Sequence, residues 1–237
     1  MRRLVVVVLG LALVLVGLDF AARAAAEAAV ARQLQTTQGL PKQPDVQVRG
    51  FPFLTQVAQG TYRDVDVRLQ QLAAGGYLRL DEVDARLLGV HLPLTALFGS
   101  GPRAVPVDDG EVVGKIGFAT LDAQVSAVIP GNTATVTFAD GGGGRLRATL
   151  HYTGAGGPLT LTGAARLSID RGRLTVSLPR NTVAQVPQQL RGVLTPLLTQ
   201  TIQLPRLPLG LVATSVTATA YGISVTTRAR HTDLLAH

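Results

Sequence analysis

Fifteen consecutive apolar residues, Leu4 to Leu18, follow the basic head Met1-Arg2-Arg3. A segment this apolar must be buried in a core, read by the export machinery or left in a bilayer. A basic pair at the extreme N-terminus followed by an apolar stretch is the pattern of an export signal. Arg2 and Arg3 hold the N-terminus inside and send the rest of the chain across. Small residues at Ala22-Arg23-Ala24 permit cleavage after Ala24, and Ala24-Ala25-Ala26 offers a second site. Alternatively, Phe20 and the following alanines extend the run toward the ~20 residues of a membrane span. Residues 1–20 are therefore a signal peptide or an N-terminal membrane anchor. The expected location is extracytoplasmic, either anchored to the cytoplasmic membrane or released from it.

The rest of the chain, roughly 210 residues, is enough for one sizeable core or two small ones. It holds no cysteine, so the fold must be held by packing without disulfides, and thiolate chemistry is excluded. The formal charge of +7 favours an anionic surface such as lipid headgroups. It is spread along the chain without a long basic block, which argues against nucleic-acid binding.

Residues 21–44 read as a helix and linker. The stretch 21–35 is alanine-rich, with Val30 and Leu34 on one face, and Gly39, Pro41 and Pro44 close it. It either extends the anchor or begins the folded domain. From residue 45 the apolar period becomes two, as in strands that bury one face: Val46 and Val48, then Val65, Val67 and Leu69. Two extended pieces lie between Tyr77 and Leu94, with a bulge or register change at Gly89. Pro93 to Leu97 starts a short helical turn, and Asp108-Asp109-Gly110 reads as a turn. Val112 to Phe118 is strand-like, and Thr120 to Val128 is a short helix capped by Thr120.

Thr133 to Phe138, Arg145 to Tyr152, Leu159 to Ile169 and Arg173 to Leu178 form consecutive strands, two of the pairs joined at Asp140–Gly144 and Asp170–Gly172. Val183 to Ile202 carries an apolar stripe at helical spacing: Val186, Leu190, Val193, Leu194, Leu197 and Leu198. Pro196 would kink or divide that helix. A final hairpin turns at Tyr221-Gly222. Residues 45–230 are read as a single β-rich domain, and 231–237 as a polar tail. The expected class is α+β, an elongated, strongly curved antiparallel sheet wrapped around a long helix. A packed core and a ligand cavity leave the same period-two signature in such strands.

Chemistry is sparse. The histidines at 91, 151, 231 and 237 have no metal-ligand spacing, and Ser100 lacks the setting of a hydrolase nucleophile. Asp64 and Asp66 share a strand face at about 6.5–7 Å, within the range of an inverting glycosidase pair. Arg63 and Arg68 interleave with them and no aromatic sugar platform accompanies them, so they read as a solvated face. No catalytic residue, metal site or cofactor is assigned.

Gly50-Phe51-Pro52-Phe53-Leu54-Thr55-Gln56-Val57-Ala58-Gln59-Gly60-Thr61-Tyr62 stands apart. It concentrates Phe51, Phe53, Leu54, Val57 and Tyr62 in one short stretch. Extended backbone would point Phe51 and Phe53 to one side, and Thr55 could cap a helical turn ended by Gly60. The segment is either a structural corner that plugs one end of the sheet or the rim of an apolar groove.

Pro44-Asp45-Val46, Gly50 to Gln56, Gly60-x-Tyr62-x-x-Val65-x-Val67 and Leu207-Pro208-Leu209-Gly210-Leu211 resemble the actinobacterial LmeA-like phospholipid-binding family, which includes the mycobacterial lipomannan elongation factor. The resemblance covers almost everything after residue 25. It implies an exported, often membrane-anchored, non-catalytic lipid binder with a fold akin to tubular lipid-binding domains, acting near envelope lipoglycan synthesis. Two functions are then expected. One is a phospholipid-binding or transfer module at the outer face of the cytoplasmic membrane, taking an anionic lipid such as phosphatidylinositol. Acyl chains would lie against Phe51, Phe53, Leu54, Val57, Tyr62 and the 186–198 stripe. The other is a ligand-free scaffold for an envelope glycosyltransferase.

Overall fold

After residue 20 the chain keeps a strong helical tendency, and no proline interrupts it before Pro41. One helix, α1 (Arg2–Thr37), therefore joins the apolar run to the alanine-rich segment. Residues 1–18 are exposed on all sides, whereas Asp19 and Ala31 are buried. The structure, a computed structural model, describes residues 1–37, 39–73, 79–92, 104–127, 134–154, 157–170, 173–178, 182, 184, 186–191, 199–203 and 213–235.

The chain divides into two compact units, Met1–Gln70 with Asp84–Glu111 and Arg228–His237, and Gln71–Val83 with Val112–Thr227. In the first unit, α1 packs on β1 (Asp45–Arg49) and α2 (Phe53–Gln59). β1 pairs antiparallel with β2 (Thr61–Ala73), setting Val46 opposite Val67 and Val48 opposite Val65. Val46 and Val48 are buried and the residues between and beside them are exposed, as period two requires. β3 is Arg79–His91 and β4 is Ala104–Gly117, and residues of both units contribute to the six-stranded sheet, whose order is β1-β2-β3-β4-β11-β10. Here β10 is Ser215–Thr219 and β11 is Gly222–Leu235, joined at Tyr221.

Asp108-Asp109-Gly110 lies inside β4 and makes no turn. The Asp108 side chain occupies the space that a Cβ at Gly89 would need, and Gly89 sits at φ +61°. The parity change expected at Gly89 appears in the burial of β3, where Leu87 and Val90 both face in, and the glycine leaves room for Asp108 in the neighbouring strand.

In the second unit β5 (Ala134–Asp140), β6 (Leu146–Tyr152), β7 (Leu159–Asp170), β8 (Arg173–Ser177) and β9 (Thr199–Gln203) form an antiparallel sheet in chain order. Val136, Leu150 and Leu161 meet across it, as do Phe138 and Ala148. Leu146, Leu150 and Leu174 are each about 1% exposed and centre this core. A helix α3 (Phe118–Ala127) lies along β5, the edge strand. It begins before Thr120, whose hydroxyl donates to Asp81 Oδ1 at 2.9 Å. Asp122 Oδ1 accepts the Phe138 N–H at 2.6 Å, and Ser126 Oγ bonds both the N–H and the carbonyl of Val136. Four residues of helix rise match two of strand, so Asp122 and Ser126 close a sheet edge that would otherwise recruit another strand.

Two expectations are corrected here. Among the described residues the architecture is two separate antiparallel sheets with three helices, and neither sheet is closed or strongly curled around a helix. The helix expected over 183–202 does not extend to its expected end. Gln188–Leu190 is a 3₁₀ turn, residues 192–198 lie outside the described residues, and Thr199–Gln203 is strand β9, paired with β8. Thr199, Thr201 and Ile202 are β-branched, and pairing with β8 satisfies both backbones there. The Pro93–Leu97 turn and Val193, Leu194, Leu197 and Leu198 lie outside the described residues.

Burial raises the Asp122 carboxyl pKa, and the Phe138 N–H opposes it more weakly. A raised carboxyl contributes its stability below the ordinary value near ~3.9 and loses it as pH climbs through the folded value. Asp122→Asn keeps an acceptor for Phe138 without the charge. Its melting temperature should equal or exceed the parent's at neutral pH, and the gap should close below about pH 4. Calorimetry across pH would test this, and a neutral-pH loss as large as that of Asp122→Ala would refute it.

Candidate functional site

The segment from Gly50 to Tyr62 is built against α1. Gly50 takes φ +103°, and a Cβ there would come within 2.9 Å of Gln56 Nε2, so glycine is required by both conformation and space. Gln56 is buried. Its Oε1 accepts the Arg63 N–H at 2.9 Å and its Nε2 donates to the Arg49 carbonyl at 3.4 Å, tying together the backbone before and after α2. Gly60 ends α2 in the left-handed conformation, as expected.

Thr55 does not cap this helix; it lies inside α2 and is exposed. Pro52 occupies the N-cap position, follows a cis peptide and offers no side-chain acceptor. The acceptor comes from α1 instead. Asp19, only 5% exposed, takes the N–H of Phe53 at 2.9 Å on one oxygen and that of Leu54 at 2.8 Å on the other. Two turns further along α1, Glu27 Oε1 accepts the Val48 N–H at 2.7 Å and the Arg23 Nε–H at 2.9 Å. Nothing at residues 50–62 signals these partners, because they lie 34 and 21 residues away. The legible trace was an acid placed directly after the apolar run.

Phe51 and Phe53 fall into opposite environments. Phe53 is buried, with its ring centroid 6.3 Å from that of buried Tyr62, and burial raises the Tyr62 phenol pKa. Phe51 is 54% exposed and stacks on the equally exposed Phe20 at 6.2 Å. Leu54 is exposed and Val57 half-buried. The expected alignment of both rings to one side fails because Phe53 starts a helix and no longer alternates. Val186 is buried in the second unit, and Leu190 is on the 3₁₀ turn with its side chain outside the described residues.

The Asp64–Asp66 pair is occupied by guanidinium groups. Arg86 donates to Asp64 at 2.8 and 3.3 Å and lies 3.9 Å from Asp66, which also pairs with Arg49. The Asp64 hydrogen bond and charge raise the Arg86 pKa. With Arg68–Asp84 at 2.7 Å these form a charge ladder across β1, β2 and β3. Exposed pairs of this kind contribute ~0–1 kcal/mol each, and they register the strands more than they stabilise them. Among the described residues no group of His, Asp and Glu could hold a metal ion.

A family model described as LmeA-like phospholipid-binding matches residues 17–228. No curated protein and no solved structure matches the chain. The family is lipid-binding and non-catalytic, and its match together with the apolar helix supports an extracytoplasmic, membrane-anchored protein.

The two phenylalanines should respond differently to truncation. Phe53→Ala empties a buried site and should cost about 3–5 kcal/mol. Phe51→Ala removes one exposed stack and should leave melting within about 1 kcal/mol of the parent. Thermal unfolding of the two variants in the same detergent decides it, and equal severe losses would return Phe51 to a packing role.

Proposed function

Because the chain belongs to the LmeA-like phospholipid-binding family, we propose that it binds anionic phospholipid at the outer face of the cytoplasmic membrane and serves envelope lipid or lipoglycan assembly. The observation that carries this reading is the exposed apolar cluster Phe20, Phe51 and Leu54, set where the membrane-length helix meets the folded unit. An acyl chain entering from the bilayer would pass Phe51 and Leu54 and reach Val57, with Phe53 and Tyr62 packed beneath. A buried methylene contributes ~0.8 kcal/mol, so a few on each chain outweigh an exposed headgroup ion pair at ~0–1 kcal/mol.

Retention of α1 belongs to the same reading. Cleavage after Ala24 or Ala26 would remove Asp19 and Phe20, leaving the Phe53 and Leu54 N–H groups without their acceptor and Phe51 without its stacked ring. Hydrogen bonds to a charged acceptor contribute ~1.5–3 kcal/mol, a loss the folded unit would feel. The mature protein should therefore carry its N-terminal helix uncut. Intact mass of protein from native membranes tests this, and an N-terminus at Ala25 or Glu27 would overturn it.

Binding should survive moderate salt and weaken steeply as acyl chains shorten. Titration of the full chain with phosphatidylglycerol or phosphatidylinositol of graded chain length would show it. Equal affinity for short and long chains would replace acyl burial with a surface headgroup site, and no binding at any length would favour the scaffold reading.

A further inference from the structure

Cargo binding does not by itself say how the folded unit meets the bilayer. We propose that the first unit docks on the outer leaflet through one rigid apolar platform, made by Phe20, Phe51 and Leu54, that enters the boundary between headgroups and acyl chains beside α1.

The geometry of α1 sets the level of that boundary. Residues 2–18 are helical and exposed on every side. At 1.5 Å per residue they measure about 25 Å, close to the ~30 Å hydrocarbon core of a bilayer. Phe20 is therefore at the far edge of the apolar layer. Phe51 stacks on it at 6.2 Å, and the amides of Phe53 and Leu54 bond to Asp19, the residue immediately before it. The loop is thus level with the point where the helix leaves the hydrocarbon. Three large apolar side chains are exposed there, at 55%, 54% and 45%. Arg23, bonded to Glu27, lies about one turn further along α1, and Arg49, paired with Asp66, ends β1 just before Gly50, so charged and polar groups follow the apolar platform in the direction of the headgroups.

Rigidity separates this arrangement from an exposed loop that happens to be apolar. The buried Asp19 carboxylate fixes the start of α2, and Glu27 fixes Val48 about 12 Å further along the helix. With both clamps made, the platform keeps its level relative to α1. Phe and Leu are among the side chains that membrane-surface segments bury at the boundary between headgroups and acyl chains.

The proposal rests on the retained helix of the proposed function, and its test uses the uncut chain and reads bilayer contact rather than cargo. The chain has no tryptophan, so Phe51→Trp supplies a single tryptophan, excited selectively over the tyrosines, at an exposed position. Lys42→Trp is the comparator. It is exposed and lies beyond the C-terminal end of α1, which is about 27 Å along the helix from Asp19. Both variants would be reconstituted in phosphatidylcholine–phosphatidylglycerol vesicles containing phospholipid brominated near the headgroup end or near the chain terminus. Phe51→Trp should emit to the blue of Lys42→Trp and be quenched at least about two-fold more by the shallow bromine than by the deep one, consistent with an interfacial depth of ~5–10 Å. Leu54→Trp, the second probe, should behave as Phe51→Trp does. Solvent-like emission without quenching at both positions would overturn the docking. Quenching that saturates at one brominated lipid per protein would also overturn it, by assigning Phe51 to a single bound ligand.

Discussion

The Asp19 carboxylate on the first two amides of α2 is the interaction on which the arrangement of the first unit depends. A seven-residue helix with proline at its N-cap has no acceptor of its own, and an uncapped buried helix end is costly. Supplying the acceptor from α1 joins a membrane-length helix to the loop that carries Phe51 and Leu54. It also explains why a carboxylate persists beside an apolar run that otherwise excludes charge: both oxygens are hydrogen-bonded, which burial of a charge demands.

Around that joint the exposed face of β1, β2 and β3 is organised by charge. Arg49, Asp66, Arg86 and Asp64 alternate in sign across three strands, and Arg68 with Asp84 repeats the pattern. Acids that might have served catalysis are committed to register, in keeping with a non-catalytic lipid-binding family. In the second unit the same economy operates at an edge, where Asp122 and Ser126 of α3 occupy the free backbone groups of β5.

The fold was legible in the sequence where local pattern decides it. Val46 and Val48, and Leu146, Ala148, Leu150 and Tyr152, are inward-facing as alternation demands, and the glycine-rich turn after Asp140 joins β5 to β6. Gly89 was legible because a parity shift leaves a visible mark. The far end of the helix expected over 183–202 was not, because an apolar stripe does not show where it gives way to a strand until β8 is present to pair with Thr199–Gln203. The curved sheet failed for a related reason: one-sided strands require a cover, and nothing in their period tells how many sheets they divide into.

The candidate site divides along the same line. By itself the sequence determined that residues 50–62 gather aromatic and apolar side chains between two glycines, and that the N-terminal run is long enough to meet a membrane, since both depend only on neighbours in the chain. Tertiary structure alone decided that Phe53 is buried against Tyr62 while Phe51 faces out with Phe20, and that Asp19 is a cap. The physical reason is that burial and hydrogen-bond satisfaction are set by whichever groups fold into contact, and here those groups come from a helix more than thirty residues earlier in the chain.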